Sequence, residues 1–92
     1  MSKESQDRVE LLEFPCEFPV KAIGHSHANV RVIVEEIVAI HVEEHCVLNY
    51  SERDSGKGKY TAATITIQAH SKDQLDKIYQ ALTDHESIVF AI

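Results

Sequence analysis

The order in which hydrophobic patterns succeed one another along these 92 residues predicts an α+β sandwich: a four-stranded antiparallel sheet with two helices on one face. Three observations carry this. Residues 60–70 alternate between apolar and polar side chains, the pattern of a sheet covered on one side only. A capping box at Ser71 is followed by apolar residues at helical spacing. Both belong to a longer order, strand, helix, strand, strand, helix, strand, running from Phe18 to Ile92.

Residues 1–8 are polar and charged and read as a mobile tail, leaving residues 9–92 as a single domain. Residues 9–14 place apolar side chains on one helical side. Pro15 and Pro19 bound the stretch, so it is at most a short turn with Phe14 and Phe18 as core anchors. Residues 18–23 form the first strand, with Gly24 allowing a sharp exit.

Residues 27–45 are rich in β-branched side chains, which favours strand, but the run is too long for one strand and has no turn signal. Val30, Ile33/Val34, Ile37 and Ile40/His41 recur at helical spacing. The segment is therefore read as a helix N-capped by Ser26 or Asn29. Residues 46–53 give a second strand, and Asp54-Ser55-Gly56-Lys57-Gly58 supplies hairpin chemistry.

In the third strand Ala63, Ile65, Ile67 and Ala69 point one way, and Thr64, Thr66, Gln68 and His70 the other. Ser71-Lys72-Asp73-Gln74 then caps a helix whose Leu75, Ile78, Tyr79 and Leu82 fall at i, i+3, i+4 and i+7. A turn over residues 83–86 leads to a final strand over residues 87–92.

Two right-handed crossovers of this length close into the ferredoxin-like βαββαβ sandwich with strand order 4-1-3-2. In that order the first and second strands flank the third and lie about 9 to 10 Å apart. A disulfide needs Cα atoms within about 7 Å, so Cys16 and Cys46 are expected to stay unpaired.

Fifteen acidic against nine basic side chains give a formal charge of -6, and such a field repels phosphate backbones and anionic membranes. Neither nucleic acid nor membrane is expected as a partner. No apolar run approaches the roughly 20 residues that span a bilayer, and residues 1–7 carry no apolar signal core. The sequence reads as cytoplasmic, with both cysteines as thiols.

The fold hosts many functions, so function has to be argued from sites. An RNA-binding version stacks bases on aromatics of the third strand, where this chain has Tyr60 and otherwise Ala62, Thr64 and Thr66. A metal carrier of this fold would show Cys-x-x-Cys after the first strand; here Gly24-His25-Ser26-His27 stands. His41 and His45, four apart on the first helix, can converge on one ion with Cys46 or Glu44, and His25 and His27 form another pair. Scattered surface histidines are the commoner arrangement, so no metal site is assigned from spacing alone.

The hairpin places Arg53, Lys57 and Lys59, three of the nine basic residues, within seven positions. It lacks the spacing of a phosphate-binding loop. Its plain reading is a solvated turn whose lysines protect a sheet edge, and its functional reading a docking point for an acidic partner. No nucleophile or acid/base pair suggests catalysis, so no enzyme, catalytic residue or cofactor is expected.

Glu10-Leu11-Leu12-Glu13-Phe14-Pro15, followed by Phe18, Lys21 and Gly24, resembles the opening of the YbeD-like family of small uncharacterised bacterial proteins. Ser55-Gly56-Lys57-Gly58-Lys59-Tyr60 and the strand Thr64-Ile65-Thr66-Ile67 resemble that family's hairpin and third strand. The resemblance covers residues 10–92. It departs in the first helix and the following turn, richer here in Val, Ile and His and without the Pro and Gly of the family near Cys46.

The resemblance implies an ACT-like domain, in which a small metabolite such as an amino acid would sit by the first strand-helix turn, here Gly24, His25, Ser26, His27 and Asn29. The leading expectation is a non-enzymatic regulatory or adaptor module. It would bind a protein partner or a second copy through the open sheet face, using Lys21, Thr64, Thr66 and Gln68 with Lys57 and Lys59 of the hairpin.

Overall fold

A computed structural model describes residues 12–92. The mobile tail expected over residues 1–8, and most of the short turn expected over residues 9–14, lie outside the described residues. The elements are β1 (Cys16–His25), α1 (Val30–His41), β2 (Val47–Ser55), β3 (Tyr60–Ala69), α2 (Lys72–Asp84) and β4 (Ile88–Ala91), with 3-10 turns at Ser26–Ala28 and Glu44–Cys46. The strands form one sheet in the order β2-β3-β1-β4, with each described pairing antiparallel. This is the ferredoxin-like arrangement and strand order expected from the pattern.

The alternation of β3 holds along its whole length, with Thr61, Ala63, Ile65, Ile67 and Ala69 buried and the intervening residues partly exposed. In β1, Phe18, Val20, Ala22 and Gly24 face the same side. Onto that side α1 lays Val30, Val34 and Val38, and α2 lays Leu75, Ile78 and Leu82. Each large aliphatic side chain so buried contributes roughly 1.5 to 3 kcal/mol. Gly24 lies where the chain passes close to this layer. A Cβ there would sit 2.8 Å from both Ser87 O and Val30 Cγ2, so no larger residue fits without movement.

α2 begins as the capping box predicts, with Ser71 Oγ accepting from the Gln74 amide at 3.0 Å. The Gln74 side chain reaches back to the His70 amide (2.7 Å) and donates to the carbonyl of His41 at 2.9 Å. One residue thus closes the start of α2 and satisfies a carbonyl at the end of α1, where the helix's own ladder runs out.

α1 is shorter than expected. The segment 27–45 is not one helix: its first residues form a 3-10 turn, and Asn29 sits in the left-handed region (φ 57) with no side-chain cap. Ser26 is no cap either, because its hydroxyl bonds Thr61 Oγ1 across the sheet at 2.9 Å. At the other end Val42 turns extended and drops into the core. Ile40, expected to face inward, is 76% exposed, because the buried stripe follows Val30, Val34 and Val38 along a slightly different line.

The final strand departs from strict alternation. Gly24 pairs with Ile88 but Ile23 pairs with Phe90, a bulge that leaves Val89 as the extra residue. Ile88 is therefore buried in the core, while Phe90, two residues on, is 52% exposed on the opposite face.

Candidate functional site on the open sheet face

Opposite the helices the sheet carries no covering layer among the described residues. The register places Lys21 opposite Thr64, Ile23 opposite Ala62, and Pro19 opposite Thr66, all outward-facing. On the far side of β3, Ser51 pairs with Thr64 and Arg53 with Ala62. On the near side Phe90 pairs with Ile23, and Ile92 exchanges both backbone hydrogen bonds with Lys21, at 2.8 and 3.1 Å.

These residues enclose a shallow trough of about 340 Å³ running across all four strands. Its floor is Ala62 and Thr64, one wall the apolar group Ile23, Phe90 and Ile92, and cations stand on it at Lys21 and Arg53. The carboxylate of Glu52 belongs to the other side of β2, where it accepts from the Tyr50 hydroxyl at 2.7 Å. Pairing leaves Glu17, opposite Gln68, as the acidic side chain on the open faces of β1 and β3, at the far end of the strands.

Of the residues expected to bind a partner, Lys21 and Thr64 line the trough, Thr66 and Gln68 continue the same face, and Lys57 and Lys59 stand at the tip of the β2-β3 hairpin. That tip is a four-residue loop closed by the Ser55-Tyr60 pair, with Gly56, Lys57 and Gly58 all at positive φ. Sequence reasoning missed Ile23, Phe90 and Ile92. Period-2 alternation puts Ile88, Phe90 and Ile92 on one side, and only the bulge separates Ile88 from the other two.

The strand-helix turn is packed on itself. Gly24 is buried, Ser26 bonds Thr61, His25 stacks on His27 with centroids 5.6 Å apart, and His25 also meets the Tyr60 ring at 5.6 Å. Asn29 is exposed at the head of α1. These five residues follow one another from the end of β1 through the 3-10 turn to the head of α1.

The two cysteines are free. His41 and His45 do not share a helix as expected, because α1 ends at His41 and His45 falls in the 3-10 turn beyond it. His45 instead approaches Glu43, Nε2 to Oε1 3.4 Å, and Cys46 Sγ lies 3.6 Å from His70 Nε2. No helix among the described residues is long and apolar enough to cross a membrane.

Comparison with known proteins agrees with this picture of the fold. The profile of a family described as "Protein of unknown function (DUF493)" matches residues 9–92. A "UPF0250 protein" of Neisseria gonorrhoeae is 39% identical over 85 residues, covering 92% of this chain and 93% of that protein. Another from Chromobacterium violaceum is 37% identical over 84 residues, covering 91% and 94%. The solution structure of protein HP0495 from H. pylori superposes with a TM-score of 0.71 at 11% identity, covering 88% of this chain and 85% of that one; that likeness concerns the fold.

Proposed function

The chain belongs to the DUF493 family, and we propose that it is a non-enzymatic adaptor or regulatory module whose open sheet face receives an acidic, apolar-anchored segment of a partner protein. One observation carries the reading: Phe90 and Ile92, 52% and 40% exposed, stand with Ile23 beside two outward-facing cations, Lys21 and Arg53. Folding gains nothing from holding large apolar side chains in water, and such a group rimmed by charge is characteristic of a contact surface.

Charge selects the partner's chemistry. The chain as a whole is acidic, at -6, so its long-range field does not draw an acidic partner in. Within a Debye length of about 10 Å at 0.1 M salt, however, the local cations dominate. Lys21 and Arg53 on the face, with Lys57 and Lys59 on the hairpin, give an acidic segment a preferred orientation, while Phe or Leu side chains of that segment fill the trough. This is recognition without chemistry.

The test is NMR titration of the full chain with a synthetic peptide interleaving Phe and Leu with Asp and Glu, against a counterpart carrying Lys at the acidic positions. Shifts confined to amides around Lys21, Ile23, Thr64 and Phe90, lost in Arg53→Glu and weakened in Thr66→Glu at unchanged melting temperature, are expected. Equal binding of the basic counterpart, or binding indifferent to Arg53→Glu, overturns the reading. So does self-association that Phe90→Asp abolishes, since the face would then belong to a second copy of the chain.

A further inference from the structure

The joint between α1 and β2 gathers ligand-type side chains that the sheet-face reading does not use. Val42 and Glu43 are extended, and Glu44–Cys46 then makes a single 3-10 turn whose Cys46 amide bonds the carbonyl of Glu43 at 2.8 Å. The turn folds Glu43, His45 and Cys46 together, so that a carboxylate oxygen, an imidazole nitrogen and the thiol sulfur all lie within 4.8 Å of one another. His70 approaches from a distant part of the chain, its Nε2 3.6 Å from Cys46 Sγ.

We propose that this cluster binds one borderline divalent cation of the zinc class, through the Glu43 carboxylate, His45 Nε2 and the Cys46 thiolate, with His70 Nε2 as the fourth donor. Tetrahedral Zn2+ with bonds of about 2.3 Å to sulfur and about 2.1 Å to nitrogen holds those two ligand atoms about 3.6 Å apart, and a nitrogen and an oxygen about 3.4 Å apart. The Cys46-His70 and His45-Glu43 separations are 3.6 and 3.4 Å. The donor set decides the metal: sulfur and imidazole select zinc-like ions, whereas Mg2+ and Ca2+ require oxygen throughout.

The surroundings favour ligation. Cys46 is buried and fixed by the core, whereas His45 and Glu43 are exposed and give the ion a path in from solvent. The backbone of His70 is anchored by its N–H, which donates to Gln74 Oε1, the same side chain that closes both helix ends. On binding, the Cys46 thiol gives its proton to solvent as the metal-sulfur bond forms. The ion would tie the end of α1, the start of β2 and the start of α2 at one point.

The experiment is Co2+ titration of the full chain in a Cys16→Ala background, followed by visible and near-ultraviolet absorption. One equivalent giving intense tetrahedral bands and a sulfur-to-cobalt charge-transfer band, displaced by one equivalent of Zn2+, is the expected result. His45→Ala, an exposed position whose loss leaves the core intact, should weaken binding at least tenfold, His70→Ala similarly, and Cys46→Ser should abolish the charge-transfer band. Weak octahedral spectra, or affinity unchanged in His45→Ala, overturn the proposal even if Cys46→Ser fails to fold.

Discussion

The two faces of the sheet are made from alternate residues of the same strands, yet they are built differently. On one, Val20, Ala22, Ala63, Ile65 and Ile67 lie under Val34, Val38, Leu75 and Ile78 of the helices. On the other, Lys21, Ile23, Ala62, Thr64 and Arg53 meet Phe90 and Ile92 with nothing above them among the described residues. The difference teaches that stability resides on one side of each strand, which leaves the other free to be shaped for a partner. Adjacent substitutions should therefore differ sharply in cost. Ile67→Ala is expected to cost about 2 to 5 kcal/mol through transfer and cavity terms, whereas Thr66→Ala, one residue away, should cost at most about 1 kcal/mol. Urea unfolding of the two variants decides it; comparable losses would mean that the open face is also structural.

A smaller effect tests how the covering layer is fastened. α2 is pinned by Ser71 and Gln74, while α1 starts at an uncapped, left-handed Asn29. Ser71→Ala removes the oxygen that accepts the Gln74 amide and should lower stability by about 1 kcal/mol, read by the same unfolding. A loss within error of zero would assign the fastening of α2 to Gln74's bonds to His70 and His41 alone.

The same contrast explains what could be read in the sequence. β3 and α2 were legible because one physical rule governs each: period-2 burial from Ala63 to Ala69, and a capping box followed by Leu75, Ile78 and Leu82. α1 was legible as a helix but not in its ends. Val42 is as apolar as Val38, and nothing local says that it leaves the helix to enter the core as an extended residue; Asn29, a residue type that tolerates the left-handed region, reads equally well as a cap. Of the candidate site, Lys21, Thr64, Thr66 and Gln68 followed from alternation. The exposure of Phe90 depends on the β1-β4 bulge, a property of pairing between distant segments that no local pattern encodes. Of the cluster at Glu43, His45, Cys46 and His70, the sequence pattern suggested His45 with Cys46 but offered His41 and Glu44 in place of His70 and Glu43, because of a misplaced helix end and a long-range contact.

The subtlest expected effect lies where the covered face runs out of cover. β2 is an edge strand, and on its helix side it presents Tyr50 and Glu52, with Arg31 of α1 lying 4.7 Å from the centroid of the Tyr50 ring. Partial burial, then the hydrogen bond to the Glu52 carboxylate and its charge, push the Tyr50 phenol above its ordinary range, and Arg31 opposes this only in part. The folded state thus favours the protonated phenol. Its stabilising contribution is complete below the unfolded tyrosine value of about 10 and is lost as the pH climbs from there toward the folded value. Ultraviolet titration of the folded protein should show a phenolate step above the usual range that Tyr50→Phe removes, and the variant should lose less stability than the parent above about pH 10. If the late step survives in Tyr50→Phe, it belongs to another tyrosine, and the polar edge of the covered face does not hold the Tyr50 phenol as its geometry implies.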